Sequence, residues 1–118
     1  DMIATAGTIC KAADMLKNMG AKTVRAVATH AVLSGQAYQR IEESALEEVI
    51  FTDSIPLKQQ THKIKTISVA DMFAETIRNV YEHKSISDHS IISPYFERDY
   101  LKLSEITISK GRFYVDFY

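Results

Sequence analysis

The chain has little of what marks secreted, membrane or nucleic-acid-binding proteins. Among 118 residues there is a single cysteine, so no disulfide can form within the chain. No apolar run approaches the roughly 18 residues that a membrane-spanning helix needs, and no signal-peptide pattern is seen. The formal net charge is −1, which argues weakly against a general nucleic-acid binder, because such proteins usually carry a basic excess. These absences favour one globular domain in a reducing, cytoplasmic compartment, with neither a membrane nor a nucleic acid as partner.

The spacing of apolar residues predicts helices and strands in alternation. Helices are predicted at residues 8–19, 36–43 and 70 to about 82. Strands are predicted at residues 23–29, 49–52 and 64–68. The first of these strands is rich in valine and alanine without strict alternation, as expected of a strand covered on both faces. This order implies an α/β fold, a three-layer sandwich on a mainly parallel sheet.

The third predicted helix carries a pattern that indicates both its start and its buried face. Ser68 and Asp71 are spaced as a capping residue and its reciprocal acid. Four apolar residues recur at helical spacing after them: Phe73, Ile77, Val80 and Tyr81. We expect this stripe to be buried against the sheet.

The first ten residues, DMIATAGTIC, place a loop of small residues between a short apolar stretch and a helix. In such a loop the free backbone amides and the positive end of the helix dipole form a site for an anion. Gly7 lets a ligand approach the backbone, and the hydroxyls of Thr5 and Thr8 can donate to phosphate oxygens. Asp1, at the end of the strand, can hold sugar hydroxyls directly or through a metal. On the residues alone, a plain helix-capping turn explains the same pattern.

Longer stretches carry a resemblance to a known family. The loop DMIATAGTI is similar to the phosphoribosyl-diphosphate loop of type I phosphoribosyltransferases and of ribose-phosphate pyrophosphokinases. The segments ICKAADMLKNMGAKTVRAVATHAVLSG, RIEESALEEVIFTDSIP and ISVADMFAETIRNVYEHKSIS resemble the C-terminal part of the pyrophosphokinases. The resemblance runs from residue 1 to about residue 87 and implies part of a type I phosphoribosyltransferase-like domain. The salvage phosphoribosyltransferases share the loop but not the ATHAVLSG and TDSIP segments.

The resemblance implies roles for the loop residues. Family members transfer a diphosphate from ATP to the C1 hydroxyl of ribose 5-phosphate, with Mg²⁺. By position, four residues would bind the 5-phosphate, chiefly through backbone amides: Thr5, Ala6, Gly7 and Thr8. Asp1 would face the ribose hydroxyls. The resemblance places most of the Mg²⁺ site outside this chain, so no metal ligand and no catalytic residue is assigned within it.

The sequence departs from the family pattern around this loop and upstream of it. Ala4 stands where most members have aspartate, and only the second acid of the family's acidic pair, Asp1, is present. In family members the N-terminal half supplies much of the ATP site, a histidine-containing metal site and a flexible loop with the catalytic lysine and arginine. No counterpart of these is found in the 118 residues. We therefore expect ribose 5-phosphate binding but no synthetase activity from the chain alone.

Several other polar residues have simpler explanations. His30 and Asp53 follow predicted strands, at the edge of the sheet where ligands bind, yet a packed histidine and a turn-forming aspartate explain them as well. Cys10, in the first predicted helix, is expected to be a small packed hydrophobe rather than a reactive thiol. Ser85 and Ser87, in KSIS, resemble the family's C-terminal serine motif and are candidates for a regulatory phosphate or nucleotide site between subunits. The family also implies a homo-oligomer, in which dimers assemble into hexamers.

Residues 88–118 continue no pattern seen upstream. They hold seven of the eleven aromatic residues, and two strand candidates flank Lys110 and Gly111, which is typical of a hairpin. A frame change in the coding sequence or a fused extension would explain the abrupt loss of resemblance. The alternative is an added hairpin that covers an exposed sheet edge. We divide the chain accordingly into residues 1–87, the phosphoribosyltransferase-like segment, and residues 88–118, a divergent aromatic tail.

Two functions from different classes follow from these observations. The first is the C-terminal segment of a ribose-phosphate pyrophosphokinase, which binds ribose 5-phosphate and depends on other elements for ATP. The second is a non-catalytic module that binds a phosphorylated sugar or pairs with full-length subunits. In either case we expect the sheet to lack the strand before Asp1, which leaves an apolar edge and favours self-association.

Overall fold

The computed structural model describes residues 2–86 and two further strands near the carboxyl terminus. The helices in these residues are α1 (Gly7–Asn18), α2 (Ala37–Glu43) and α3 (Ala70–Tyr81). The strands are β1 (Met2–Ile3), β2 (Ala21–Ala28), β3 (His30–Ala31), β4 (Glu48–Thr52), β5 (Ile64–Ile67), β6 (Ser104–Ile108) and β7 (Gly111–Phe117). Helices alternate with parallel strands through residue 81, which confirms the α/β fold expected from the sequence.

The first helix forms where the helical period of apolar residues is clearest. Its buried side chains recur every one to four positions: Ile9, Cys10, Ala13 and Leu16. The helix ends before Gly20, whose φ of +101° lies in the left-handed region that glycine adopts without strain. Within the described residues, no helix is long and apolar enough to cross a membrane.

A five-stranded sheet forms the centre of the fold, in the order β5-β4-β2-β7-β6. β2, β4 and β5 run parallel, with Ala28 opposite Phe51 and Phe51 opposite Thr66. β7 pairs with β2 in the antiparallel direction, and β6 pairs with β7 in the same way. The predicted parallel sheet is therefore found as far as β5, and the β6–β7 hairpin adds two antiparallel pairs to it. The strands of this hairpin lie where the strand candidates around Gly111 were predicted.

Two short strands have no counterpart in the sequence analysis. β1 and β3 pair in parallel, with Met2 opposite His30 and Ile3 opposite Ala31. A strand of two residues is too short to show alternation, so the sequence pattern carries no signal for it. A single residue separates β2 from β3. β1 pairs with β3 and therefore lies next to the carboxyl end of β2.

The core lies where α1 and α2 pack with the parallel strands. Its largest fully buried side chains come from β2, α2, β4 and the turn before β4: Val24, Ile41, Leu46, Val49 and Phe51. Burial of these apolar side chains is the main favourable term that holds the strands together. The core thereby positions the carboxyl ends of the parallel strands along one edge.

The third helix has the predicted bounds to within one residue but not the predicted burial. The exposed fractions are 54% for Phe73, 68% for Ile77, 60% for Val80 and 86% for Tyr81, and no residue of α3 is buried. The expectation of a buried stripe is therefore wrong. The physical reason, within residues 2–86, is that β5, which precedes α3, is itself exposed after Ile64 and does not cover the stripe.

A neighbouring strand, rather than the predicted cap, holds the amino end of α3. The N-cap residue is Val69, and no side chain caps the helix there, in place of the reciprocal Ser68–Asp71 cap expected from the sequence. The Ser68 Oγ accepts a hydrogen bond from the Ala70 N–H (3.2 Å), one residue into the helix. The Asp53 Oδ1 accepts one from the Val69 N–H (2.9 Å), so the end of β4 anchors the turn that leads into α3.

Candidate functional site

The loop predicted to bind phosphate follows β1 at the carboxyl edge of the parallel strands. Two backbone hydrogen bonds hold it on the segment after β3: the Leu33 N–H donates to the Ile3 C=O (3.0 Å), and the Ser34 N–H donates to the Ala4 C=O (2.9 Å). In open α/β sheets, ligands bind outside the carboxyl ends of the strands. The fold therefore places this loop where a ligand site is expected.

Ala6 begins α1 in the left-handed conformation. Its φ is +62° and its ψ is 6°, and its side chain is 4% exposed. Its C=O accepts the first helical hydrogen bond, from the Cys10 N–H (3.1 Å). A residue other than glycine in this region costs about 1 kcal/mol or more, and such strain persists chiefly where a binding site requires the geometry.

The amino end of α1 is uncapped and open. No side chain forms a capping hydrogen bond there, and no acidic residue lies in the first turn. The N–H groups of the first turn have no partner inside a helix, and the helix dipole is positive at this end. Thr5 and Thr8 flank this end of the helix in the sequence, and both are exposed. This arrangement suits an anion with several oxygens, such as a phosphate group.

Gly7 leaves the entrance to the loop clear. A Cβ placed on Gly7 would have only one neighbour within 4 Å, the Arg40 Nη1 at 3.8 Å. The backbone at Gly7 is not in the left-handed region either, in contrast to Gly35, whose φ is +61°. Neither packing nor backbone geometry therefore requires glycine at this position, which supports the approach of a ligand as the reason for it.

Arg40, on α2, contacts the loop directly, and the sequence analysis missed it. Its Nη1 donates a hydrogen bond to the Thr5 C=O (2.9 Å). Arg40 also lines an open cleft of about 530 Å³ together with Gly7 and Lys11, and the acidic Asp14 and Glu43 line the same cleft. No local pattern marks Arg40, because it is 35 residues from Thr5 and only the fold brings the two together.

Cys10 lines the same cleft and is also part of the hydrophobic core. The thiol is buried, and burial raises its pKa, while a hydrogen bond with Ser44 lowers it by a smaller amount. A thiol with a raised pKa is protonated near neutral pH and is a poor nucleophile. The expectation that Cys10 is a packed core side chain is confirmed.

A second polar cluster lies just after the carboxyl ends of β2 and β4. The His30 Nδ1 and the Ser54 Oγ are 2.7 Å apart. The Thr52 Oγ1 donates to the Thr29 C=O (2.7 Å) and lies 3.0 Å from the Ser54 Oγ. These contacts tie the turn after β4 to the segment between β2 and β3, which is a structural role for His30.

Two of the other predicted site residues cannot be placed relative to the loop. Asp1 and Ser87 lie outside the described residues. Ala4 is exposed next to the loop, and Ser85 is exposed after the end of α3. In the part of the chain that the structure describes, no group of three or more His, Cys, Asp or Glu residues could hold a metal ion. That part therefore holds no complete set of ligands for the Mg²⁺ that the resemblance implies.

Comparison with known proteins shows which family the chain belongs to. A family model described as "Phosphoribosyl synthetase-associated domain" matches residues 1–90. The chain belongs to this family. It is 62% identical over 86 residues to a ribose-phosphate pyrophosphokinase of Helicobacter pylori, and 56% identical over 87 residues to one of Campylobacter jejuni. These matches cover 73% and 74% of this chain but 27% and 28% of the relatives, so the chain spans little more than a quarter of their length.

A solved structure of the family shares the fold. The crystal structure of phosphoribosylpyrophosphate synthetase from Mycobacterium smegmatis matches with a TM-score of 0.68 and 42% sequence identity. The match covers 70% of this chain and 28% of that one. The resemblance to ribose-phosphate pyrophosphokinases, and the α/β fold that it implies, are therefore confirmed.

Proposed function

We propose that this chain is the ribose 5-phosphate-binding segment of a ribose-phosphate pyrophosphokinase, which converts ATP and ribose 5-phosphate to AMP and 5-phosphoribosyl 1-diphosphate. The observation that carries the proposal is the uncapped amino end of α1, which begins at the left-handed Ala6 between the exposed Thr5 and Thr8. Membership of the phosphoribosyl synthetase-associated family supports it, because the similar relatives bear the name ribose-phosphate pyrophosphokinase.

In this proposal the loop binds and orients the sugar phosphate. The 5-phosphate accepts hydrogen bonds from the first-turn amides of α1, and its negative charge is stabilised by the helix dipole. The hydroxyls of Thr5 and Thr8 donate to the remaining oxygens, and Gly7 keeps the approach clear. Arg40, through its bond to the Thr5 C=O, holds the loop in the conformation that presents these donors.

The chemistry at C1 depends on groups beyond the described loop. Asp1 faces the ribose hydroxyls in this proposal, and Ala4 leaves the position near it without a carboxylate. Mg²⁺ bound with the nucleotide supplies charge neutralisation for the transferred diphosphate. Its ligands, like the ATP site and the basic catalytic loop, would come chiefly from other parts of a complete enzyme. The chain alone therefore binds ribose 5-phosphate without turning it over.

Assembly, regulation and compartment are proposed on the grounds of the family alone. The complete protein would be a homo-oligomer, in which dimers assemble into hexamers, and it would act in the cytoplasm. Ser85 and Ser87 would contribute to a regulatory phosphate or nucleotide site between subunits. Sedimentation velocity, with and without inorganic phosphate, tests both the assembly and its response to an anion.

Calorimetric titration of ribose 5-phosphate into the chain tests the binding function. Thr8→Val removes a hydroxyl without changing the shape of the side chain, and we expect the Kd to rise by about 10- to 150-fold, since a hydrogen bond to a charged group contributes about 1.5–3 kcal/mol. Gly7→Val places a branched side chain at the entrance and is expected to abolish binding. Folding is expected to survive, because only Arg40 Nη1 lies within 4 Å of the added Cβ.

The matched control is Thr66→Val, the same substitution at an exposed position of β5, away from the loop. It is expected to leave the Kd unchanged. Absence of heat for the unmodified chain, or an equal loss of affinity in Thr8→Val and Thr66→Val, would contradict the proposed site.

The second candidate is a non-catalytic module that binds a sugar phosphate or pairs with full-length subunits, and the uncapped amino end of α1 suits it equally. A coupled assay for AMP formation, with ATP, Mg²⁺ and ribose 5-phosphate, separates the two. The chain alone is expected to give no turnover in either case. AMP formation above background by a mixture of the chain with a catalytically inactive full-length relative would favour the enzyme segment, and its absence would favour the module.

A further inference from the structure

The chain segment that leads into β5 forms a strap beside α2. The strap consists of residues 57–63, and it donates hydrogen bonds to α2 and to the residue that follows the helix. Three such bonds, each 2.9 Å long, join the Lys58 N–H to the Tyr38 Oη, the Thr61 Oγ1 to the Glu42 Oε2, and the Lys63 Nζ to the Ser44 C=O. The strap thus contacts α2 from its first turn to its carboxyl end.

The sheet and the core hold the strap itself in place. Its last residue, Lys63, directly precedes β5, and the Lys63 C=O accepts a hydrogen bond from the Val49 N–H of β4 (2.8 Å). Leu57, at the other end of the strap, is partly buried and packs against the hydrophobic core. Both ends of the strap are therefore fixed by contacts other than its hydrogen bonds to α2.

The helix α2 needs such a support because it is too short to be stable by itself. It has seven residues, and no side chain forms a capping hydrogen bond at its amino end. Isolated helices shorter than about 12 residues are marginal in water. The position of α2 therefore depends on the contacts that it makes with other parts of the fold.

The strap and the loop before α1 contact different faces of α2. Residues four apart on a helix lie on the same face, whereas residues two apart do not. Tyr38 and Glu42, which are four apart, both contact the strap. Arg40, which lies between them, donates to the Thr5 C=O of the loop instead (2.9 Å). A shift of α2 away from the strap would therefore move the Arg40 guanidinium relative to the Thr5 C=O.

We propose that Tyr38 is a positioning residue for ribose 5-phosphate, whose hydroxyl fastens α2 to the strap so that Arg40 holds the loop in the conformation that binds the sugar phosphate. The inference rests on the proposed function. Tyr38 is 9% exposed, whereas the other strap contacts use the exposed Glu42 and the half-buried Ser44. A hydrogen bond shielded from water is electrostatically stronger than an exposed one, so the Tyr38 hydroxyl is the strap contact on which the position of α2 depends most.

Tyr38→Phe in the complete 118-residue chain tests the proposal, because it removes the hydroxyl and keeps the ring in the core. We expect the Kd for ribose 5-phosphate in titration calorimetry to rise about three- to tenfold, within the range that loss of one neutral hydrogen bond covers. The matched control is Tyr81→Phe, the same substitution at a residue of α3 that is 86% exposed. This control should leave the Kd unchanged.

Combination with Arg40→Met separates positioning through Arg40 from a general loosening of the fold. In the Arg40→Met chain, Tyr38→Phe should change the Kd by less than about twofold, which is the usual error of additivity. The reason is that the contact through which Tyr38 acts has already been removed. A rise in the Arg40→Met chain as large as in the unmodified chain, or no rise in the unmodified chain, would overturn the proposal.

The carbonyl carbon NMR resonance of Thr5 provides a second measurement that needs no ligand. It should shift in the same direction in Tyr38→Phe and in Arg40→Met, because both changes weaken the hydrogen bond to this carbonyl, and it should not move in Tyr81→Phe. An unmoved resonance in Tyr38→Phe would also overturn the proposal. If ribose 5-phosphate gives no heat with the unmodified chain while the resonance shifts as expected, the binding function fails and the link from Tyr38 to the loop stands.

Discussion

At the scale of single residues, the contact between Arg40 and the Thr5 C=O joins α2 to the loop that is proposed to bind phosphate. The hydrogen bond is 2.9 Å long and joins α2 to the loop across the surface. We expect Arg40→Met to raise the Kd for ribose 5-phosphate about tenfold, with a change in unfolding free energy of less than about 1 kcal/mol, because the contact is exposed. Titration calorimetry and urea unfolding measure the two quantities.

Two further arginine substitutions show whether the loss of affinity in Arg40→Met comes from the contact with the loop or from the loss of a positive charge. Arg40→Lys keeps the positive charge with a single flexible donor group and should recover part of the affinity. Arg78→Met, on the exposed surface of α3, removes an equal charge elsewhere and should leave the Kd unchanged. Equal affinities for Arg40→Met and the unmodified chain would show that Arg40 does not position the loop.

The buried thiol of Cys10 predicts how stability depends on pH. Its pKa in the folded chain lies above the ordinary value of 9.0, chiefly because of burial, so the unfolded chain loses the proton first. The stability that the protonated thiol contributes is fully present below about pH 9 and is lost as the pH rises through the folded pKa. Cys10→Ala should flatten the fall in unfolding free energy above that pH, as measured by urea unfolding. Parallel curves for the two proteins would contradict this.

At the scale of whole elements, α3 exposes an apolar stripe that should make the chain self-associate. Phe73, Ile77, Val80 and Tyr81 are each more than half exposed, and contiguous apolar surface of this kind favours association. We expect Ile77→Glu to reduce the weight-average mass in sedimentation velocity. Its unfolding free energy should stay within about 0.5 kcal/mol, because a charged side chain at an exposed position loses little packing. An unchanged mass would show that association, if present, uses another surface.

At the scale of the whole molecule, the core that joins α1, α2 and the parallel strands should account for most of the stability. Ile41 is 0% exposed and Ile77 is 68% exposed, so the same substitution compares the two environments. Ile41→Ala should cost about 2–5 kcal/mol, since it removes apolar contacts and leaves a cavity. Ile77→Ala should change the unfolding free energy by less than about 0.5 kcal/mol in the same urea experiment. Similar costs for both would mean that α3 is packed in solution.

Local sequence patterns predicted the bounds of the helices well, and predicted burial and capping contacts less well. The predicted helices begin or end within about one residue of α1, α2 and α3, because period and glycine stops reflect the geometry of the helix itself. The apolar stripe of α3 was predicted to be buried. Burial also needs a second surface packed against the stripe, and the sequence of α3 alone does not specify one. The amino end of α3 shows the same limit, since Asp53 reaches Val69 from the turn after β4.

In the candidate site, too, the loop was predicted from local sequence, while a contact between distant residues was missed. The loop from Thr5 to Thr8 was predicted from small residues and hydroxyls before a helix, and the structure places it at the carboxyl edge of the parallel strands. Arg40 was missed, because its role comes from a contact with a carbonyl 35 residues away. The left-handed Ala6 was also missed, since alanine carries none of the signals that glycine or asparagine would give for that conformation.

The sequence by itself determined the three helices, the longer parallel strands, the position of the candidate loop along the chain and the family that the chain resembles. These properties depend on residues close together in the chain, whose periodicity and backbone preferences act locally. The tertiary structure alone decided which side chains are covered, that Arg40 supports the loop, and that β7 takes the edge of β2 beside β1. Such outcomes depend on which distant segments meet, because an edge or an apolar face pairs with whatever surface the rest of the fold brings to it.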